Sequence, residues 1–192
     1  RVVTWGMSMG ALISVALAER PRSHTDGTLA LCGSIGGAVG MMNMALDGAY
    51  AFRTLVAPDA GIALTGISDD MANGKRVEQA LAQARTSPQG RERVAMAAVL
   101  AGLPEWTAEG TSQPAPDNAA AQEEQMARIF TMGVFLPRSD QEQRAGGPFS
   151  WNNGVDYRRQ LAKSGRRALV ESLYQAAGLD LSTDLRRLEA GA

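Results

Sequence analysis

At 192 residues the chain has room for one large domain or one and a half small ones. Hydrophobic residues make up 45%, charged residues 20%, and the formal net charge is -1. That balance suits a globular chain with a core and leaves neither a basic excess for nucleic acid nor a polybasic patch for a membrane surface.

The apolar runs are too short or too interrupted to span a bilayer. Cys32 is alone, which excludes an internal disulfide and leaves cytoplasmic and secreted locations open. The chain opens on Arg1 rather than Met with no charged-then-apolar leader, and reads as cut at its start.

Arg1 to Trp5 is short, β-branched and aromatic, which predicts a strand. Gly6 and Gly10 bracket a tight turn, and Ala11 to Arg20 is a strong helix former stopped by Pro21. After a polar loop, Arg22 to Gly27, comes a second strand, Thr28 to Cys32, apolar on both faces as expected of a parallel strand covered by helices. Gly33 to Gly37 is a loop at its carboxyl end. Strand, helix, strand in this order predicts a right-handed parallel crossover unit.

From about Ala38 the period changes. Met41, Ala45, Ala49, Phe52 and Val56 mark one face of a helix that Pro58 ends. A helix is predicted over Asp69 to Arg85, and another begins at Ser87-Pro88 and stops before Gly102. Pro104 to Asn118 reads as loop, Ala119 to Leu136 as one helix, and Arg138 to Gly154 as loop again. Helices over Asp156 to Ser164, Arg166 to Ala177 and Ser182 to Ala190 complete the chain, with Asp156 and Ser182 as caps. Two domains result: residues 1–37 carry the βαβ unit and residues 38–192 are helical.

Gly6-Met7-Ser8-Met9-Gly10 is the candidate site. A serine hydroxyl is a weak nucleophile that needs exposure, a base and a stabilised oxyanion. A Gly-x-Ser-x-Gly turn between strand and helix supplies the exposure. Chance alone yields this pentapeptide roughly once in seven chains of this length, so its setting carries the signal. The other reading of the same residues is a glycine turn in which Ser8 only caps the helix.

With Thr-Trp-Gly-Met-Ser-Met-Gly-Ala and Leu-Cys-Gly-Ser-Ile-Gly-Gly after it, Arg1 to Gly37 resembles the segment of α/β-hydrolases that runs from the nucleophile strand through the next one. In particular it looks like a bacterial esterase or serine peptidase of that fold. The resemblance implies a partial α/β-hydrolase core followed by a mainly helical cap. It makes Ser8 the nucleophile, Met9 a backbone oxyanion donor, and an ester, amide or peptide the substrate. The histidine, the acid and the second oxyanion donor of the family have no counterpart here, so the chain alone is expected to be inactive, with exposed strand edges and apolar sheet faces. An acyltransferase or a non-catalytic binding module on the same fold are the alternatives.

His24 follows a helix that leads away from the turn and, at ~1.5 Å per helical residue, sits about 18 Å from Ser8. It is read as a loop histidine. Cys32 is read as a small buried hydrophobe, and Asp47 as a cap or a partner of Arg53. Asp69-Asp70 is the acidic start of a helix. No spacing suits a metal and no phosphate loop is present, so no cofactor is expected. Met41 and Met44 are the candidate acyl-pocket residues, with Phe52, Trp106 and Trp151 as further lining; a neutral, largely apolar substrate is expected.

Overall fold

The computed structural model describes residues 1–21, 23–107 and 110–191. The loop readings for Arg22, Ala108 and Glu109 lie outside the described residues. The chain divides into two compact units, Arg1–Met42 and Asn43–Ala192.

In the first unit, β1 (Val3–Met7) and β2 (Gly27–Leu31) pair in parallel, with Val3 beside Gly27 and Met7 beside Leu31. They are joined through α1 (Met9–Ala18), which packs on both. β1 starts two residues later than expected and runs through Gly6 to Met7. α1 buries Ala11 and Ser14. The Thr4 and Thr28 hydroxyls meet across the ladder at 3.0 Å.

The chain alone leaves an apolar sheet face open, as expected, because one helix can cover only one side of a sheet. The other side presents Val3 (67% exposed), Trp5 (71%), Met7 (64%) and Leu29 (55%). Cys32 lies past the strand end and is exposed, not buried.

The second unit is helical, and no strand is found in it among the described residues. α2 (Ala38–Leu55) enters from the first unit, followed by α3 (Asp70–Ala84), α4 (Pro88–Leu100), α5 (Ala119–Arg128) and α6 (Phe130–Val134). Then come α7 (Ser139–Ala145), α8 (Tyr157–Lys163), α9 (Arg167–Ala176) and α10 (Leu181–Gly191). The caps follow side-chain chemistry: Asp69, Ser87, Asn118 and Asp156 each accept a first-turn N–H. α10 is corrected: Asp180, not Ser182, accepts at its start, from the Ser182 N–H at 3.0 Å.

α4 is the centre of this unit. Val94 to Leu100 are buried at every position, and α3, α5, α8 and α9 all pack on it. A helix apolar all round has to be enclosed all round. At Gly48, α2 passes so close that an added Cβ would lie 2.4 Å from the Ala101 Cβ. Phe52 stacks obliquely on Phe130 with centroids 5.0 Å apart, and Phe135 meets it edge-on at 5.8 Å.

The single helix expected over Ala119 to Leu136 is broken at Ile129, where the backbone leaves helical angles before α6 resumes. The loop expected over Arg138 to Gly154 contains α7. Within it Glu142 alone is buried, held by ion pairing rather than apolar contact. Arg138 holds Glu142 at 2.8 Å and also donates to the Leu64 carbonyl and the Ser150 hydroxyl. Asp70 accepts from the Arg138 and Ser139 N–H groups at 3.1 and 3.2 Å.

Where α4 meets α5, the charges are less well matched. Arg91 pairs with Glu123 at 2.5 Å, but one Glu123 oxygen and one Glu92 oxygen are buried without a partner. Burial first, and the neighbouring Glu123 second, push the Glu92 carboxyl up to about 7, with Arg91 opposing. A carboxyl that holds its proton longer folded than unfolded favours folding at low pH. That advantage disappears as pH rises from about 4.5 through 7. The melting temperature should therefore fall between pH 5 and 8, by an amount equivalent to about 1–3 kcal/mol. Glu92→Gln should flatten the profile; an unchanged slope in thermal melts of the variant would assign the loss elsewhere.

Candidate active site

Ser8 stands at the junction of β1 and α1. Its N–H donates to the Leu31 carbonyl at 2.9 Å, continuing the ladder one step past the strand, and its carbonyl accepts from Ala11 at 3.0 Å, opening the helix. To serve both, its backbone takes φ 54° and ψ −119°. Such a conformation costs a non-glycine residue about 1–3 kcal/mol and is held only by the surrounding structure.

The Ser8 side chain makes no capping hydrogen bond and is exposed. A serine that merely caps a helix would have extended backbone and would bond a first-turn N–H. Ser8 does neither. Met9, next in the chain, opens the helix, at the end where the backbone N–H groups carry partial positive charge.

Gly6 makes this corner possible. A Cβ there would fall 2.2 Å from the Gly10 carbonyl oxygen, so strand and helix touch through backbone alone. Gly10 has open space at the equivalent point. Only the first glycine of the pentapeptide is required sterically.

Cys32 is the other non-glycine residue with positive φ among the described residues, at 53°. It lies one step beyond the Met7–Leu31 pair, so two strained residues end adjacent strands on the same edge of the sheet. Sequence reasoning missed it; the glycine immediately after a strand-ending Leu-Cys was the available signal.

His24 is exposed in the connection that leads into β2. Two residues on, the Asp26 N–H donates to the Val2 carbonyl, which ties this connection to the start of β1. His24 is thus at the amino ends of the strands and Ser8 at the carboxyl end of β1, separated by a five-residue strand of about 17 Å. It is the one histidine of the chain, and it is out of reach.

Met41, in the first unit, is half-buried, and its sulfur accepts from the Ser34 hydroxyl at 2.6 Å. Met44, in the helical unit, is 43% exposed and rests its thioether against the Gly102 backbone. Phe52 is fully buried in the aromatic cluster, so it lines no pocket. Trp106 donates from its indole to Thr111 at 3.2 Å. Asp47 does not pair with Arg53. It is buried, accepting from the Tyr157 hydroxyl at 3.3 Å and from Gln160 at 2.9 Å. Burial raises its carboxyl above the usual range, and those two bonds pull it back.

Among the described residues no three His, Cys, Asp or Glu side chains converge as a metal site would require. No helix of the described residues is long and apolar enough to cross a membrane.

The architecture, then, is a short parallel βαβ unit followed by a largely helical region. The chain is similar to an o-phthalyl amidase of Xanthobacter agilis, with 28% identity over 217 aligned residues that take in 99% of this chain and 48% of the amidase. It spans about half the length of the curated relative it matches. No protein-family model matches the chain. No solved structure matches it either.

Proposed function

We propose that the protein is a serine hydrolase of the α/β-hydrolase type that cleaves an amide or ester through an acyl-Ser8 intermediate. The observation that carries this reading is the exposed, uncapped Ser8 hydroxyl on a strained strand-to-helix corner. The similarity to an amidase over nearly the whole chain supports hydrolytic chemistry and favours an amide, with o-phthalyl amides the first substrates to assay.

In this reading Ser8 Oγ attacks the substrate carbonyl carbon while its proton passes to a histidine. The oxyanion that forms faces the Met9 N–H. Collapse breaks the bond to the amine or alcohol, which leaves with that proton, and water then releases the acid and restores Ser8. Residues 1–37 serve as part of the catalytic core, with Met41 as its candidate acyl-pocket residue, and residues 38–192 form the helical region that such enzymes carry as a cap. His24 is too far away to act, so the base comes from outside these 192 residues and the isolated chain turns over no substrate.

The test is covalent labelling of the protein at its natural full length with a fluorophosphonate, followed by peptide mapping. The label should fall on the peptide containing Ser8. Its absence there would favour a non-catalytic binding module. Capture of the acyl group by an added alcohol in preference to water would identify an acyltransferase instead.

A further inference from the structure

The helical unit contains a polar cavity of about 430 Å³ whose lining includes Arg53, Tyr50, Thr65, Trp151, Asn152 and Asn153. Among the described residues no aspartate or glutamate lines it, and Arg53 is the one charged lining residue. Arg53 is half-buried and has neither a hydrogen bond nor an ion pair among the described residues. The one carboxylate of α2, Asp47, has both oxygens committed to Tyr157 and Gln160. A half-buried guanidinium without a counter-charge is poorly compensated, and its planar fork of donors matches a carboxylate in two parallel bonds.

The walls are fixed beforehand. The Trp151 N–H donates to Asn43 at 3.1 Å, Asn152 donates to the Tyr157 hydroxyl at 3.1 Å, and the Ser150 hydroxyl accepts from the buried Arg138. The Tyr50 hydroxyl is held by the Leu188 carbonyl at 3.0 Å. Three anchors within four residues keep the 150–153 loop in one conformation, so a ligand meets a site already ordered. Trp151, fixed through its backbone, remains 58% exposed and offers apolar surface at the cavity.

We propose that this cavity binds a small aromatic carboxylate, with the carboxylate on the Arg53 guanidinium, the ring against Trp151, and the Asn153 amide available to polar substituents. Its volume falls in the range that small-molecule sites occupy. The site lies wholly in the helical unit and does not depend on Ser8 being a nucleophile.

Titration calorimetry of the 192-residue chain with benzoate, benzamide and cyclohexanecarboxylate tests it. Benzoate should bind saturably at one site. Benzamide, which lacks the charge, and cyclohexanecarboxylate, which lacks the flat ring, should each bind at least about tenfold more weakly. Arg53→Gln should weaken benzoate by about tenfold or more, and Trp151→Ala by several-fold, with circular dichroism unchanged. Arg53→Lys keeps the charge but not the fork, and should fall between Arg53→Gln and the parent; it also serves if Arg53→Gln does not fold. Absence of benzoate binding, equal binding of benzamide, full affinity in Arg53→Gln, or displacement of benzoate by an equal concentration of inorganic phosphate would each overturn the proposal.

Discussion

On the proposed acyl-Ser8 route, Ser8→Ala should lower kcat of the full-length protein by about 10⁴- to 10⁶-fold while changing KM little. Loss of an attacking oxygen removes the covalent route altogether, leaving only positioning and oxyanion stabilisation. A companion variant separates chemistry from folding. Ser8 is held at φ 54°, a conformation glycine adopts without side-chain strain. Ser8→Gly should thus be as inactive as Ser8→Ala, yet more stable by about 1 kcal/mol in denaturant titrations. Retention of turnover within about tenfold in either variant would remove Ser8 from the mechanism.

Gly6→Ala should unsettle the same corner by a different route. The new methyl would fall 2.2 Å from the Gly10 carbonyl oxygen and 2.3 Å from its carbon. Both are backbone atoms, so no side chain can rotate away, and β1 and α1 must separate. A cost of about 3 kcal/mol is expected, together with loss of fluorophosphonate labelling as Ser8 shifts. Gly10→Ala is the control. It meets nothing within 4 Å, lies in the first turn of α1, and gains helix propensity, so it should be neutral or stabilising by up to about 1 kcal/mol. Equal destabilisation by the two substitutions would show that the glycines serve some other purpose.

Local chemistry explains what could be read ahead of the structure. Pro88 at the first helical position, Ser87 and Asp156 as caps, and glycine just past the ends of α4 and α9 are decided within a few residues, and so were legible. The βαβ order was legible for the same reason. The misreadings share another cause. Arg138 and Glu142 look like solvent-facing loop residues because their charges are plain in the sequence. The partners that bury them, Leu64, Asp70 and Ser150, are brought in by tertiary packing. Ile129 interrupts a helix whose apolar period runs on unbroken. At the candidate site the pentapeptide announced Ser8, but the asymmetry between Gly6 and Gly10 depends on how close the helix passes, and spacing does not encode that. Cys32 was misplaced because a residue that ends a strand and one that sits inside it have the same composition. Asp47 was read as a cap or a partner of Arg53, but the two stand six residues apart on α2, off the i,i+3 and i,i+4 spacings, and Asp47 faces α8.

The enclosure of α4 has a consequence for how this chain can drift. A surface helix has one face that accepts almost any polar residue, but Val94 to Leu100 are buried seven in a row and have no such face. A larger side chain anywhere in that run meets a neighbouring helix, and a smaller one leaves a void. Single substitutions there are selected against from every direction at once. A change at Ala97 or Ala98 therefore has to be accompanied by a compensating one on a facing helix, and the freedom to vary lies in the outer faces of α9 and α10.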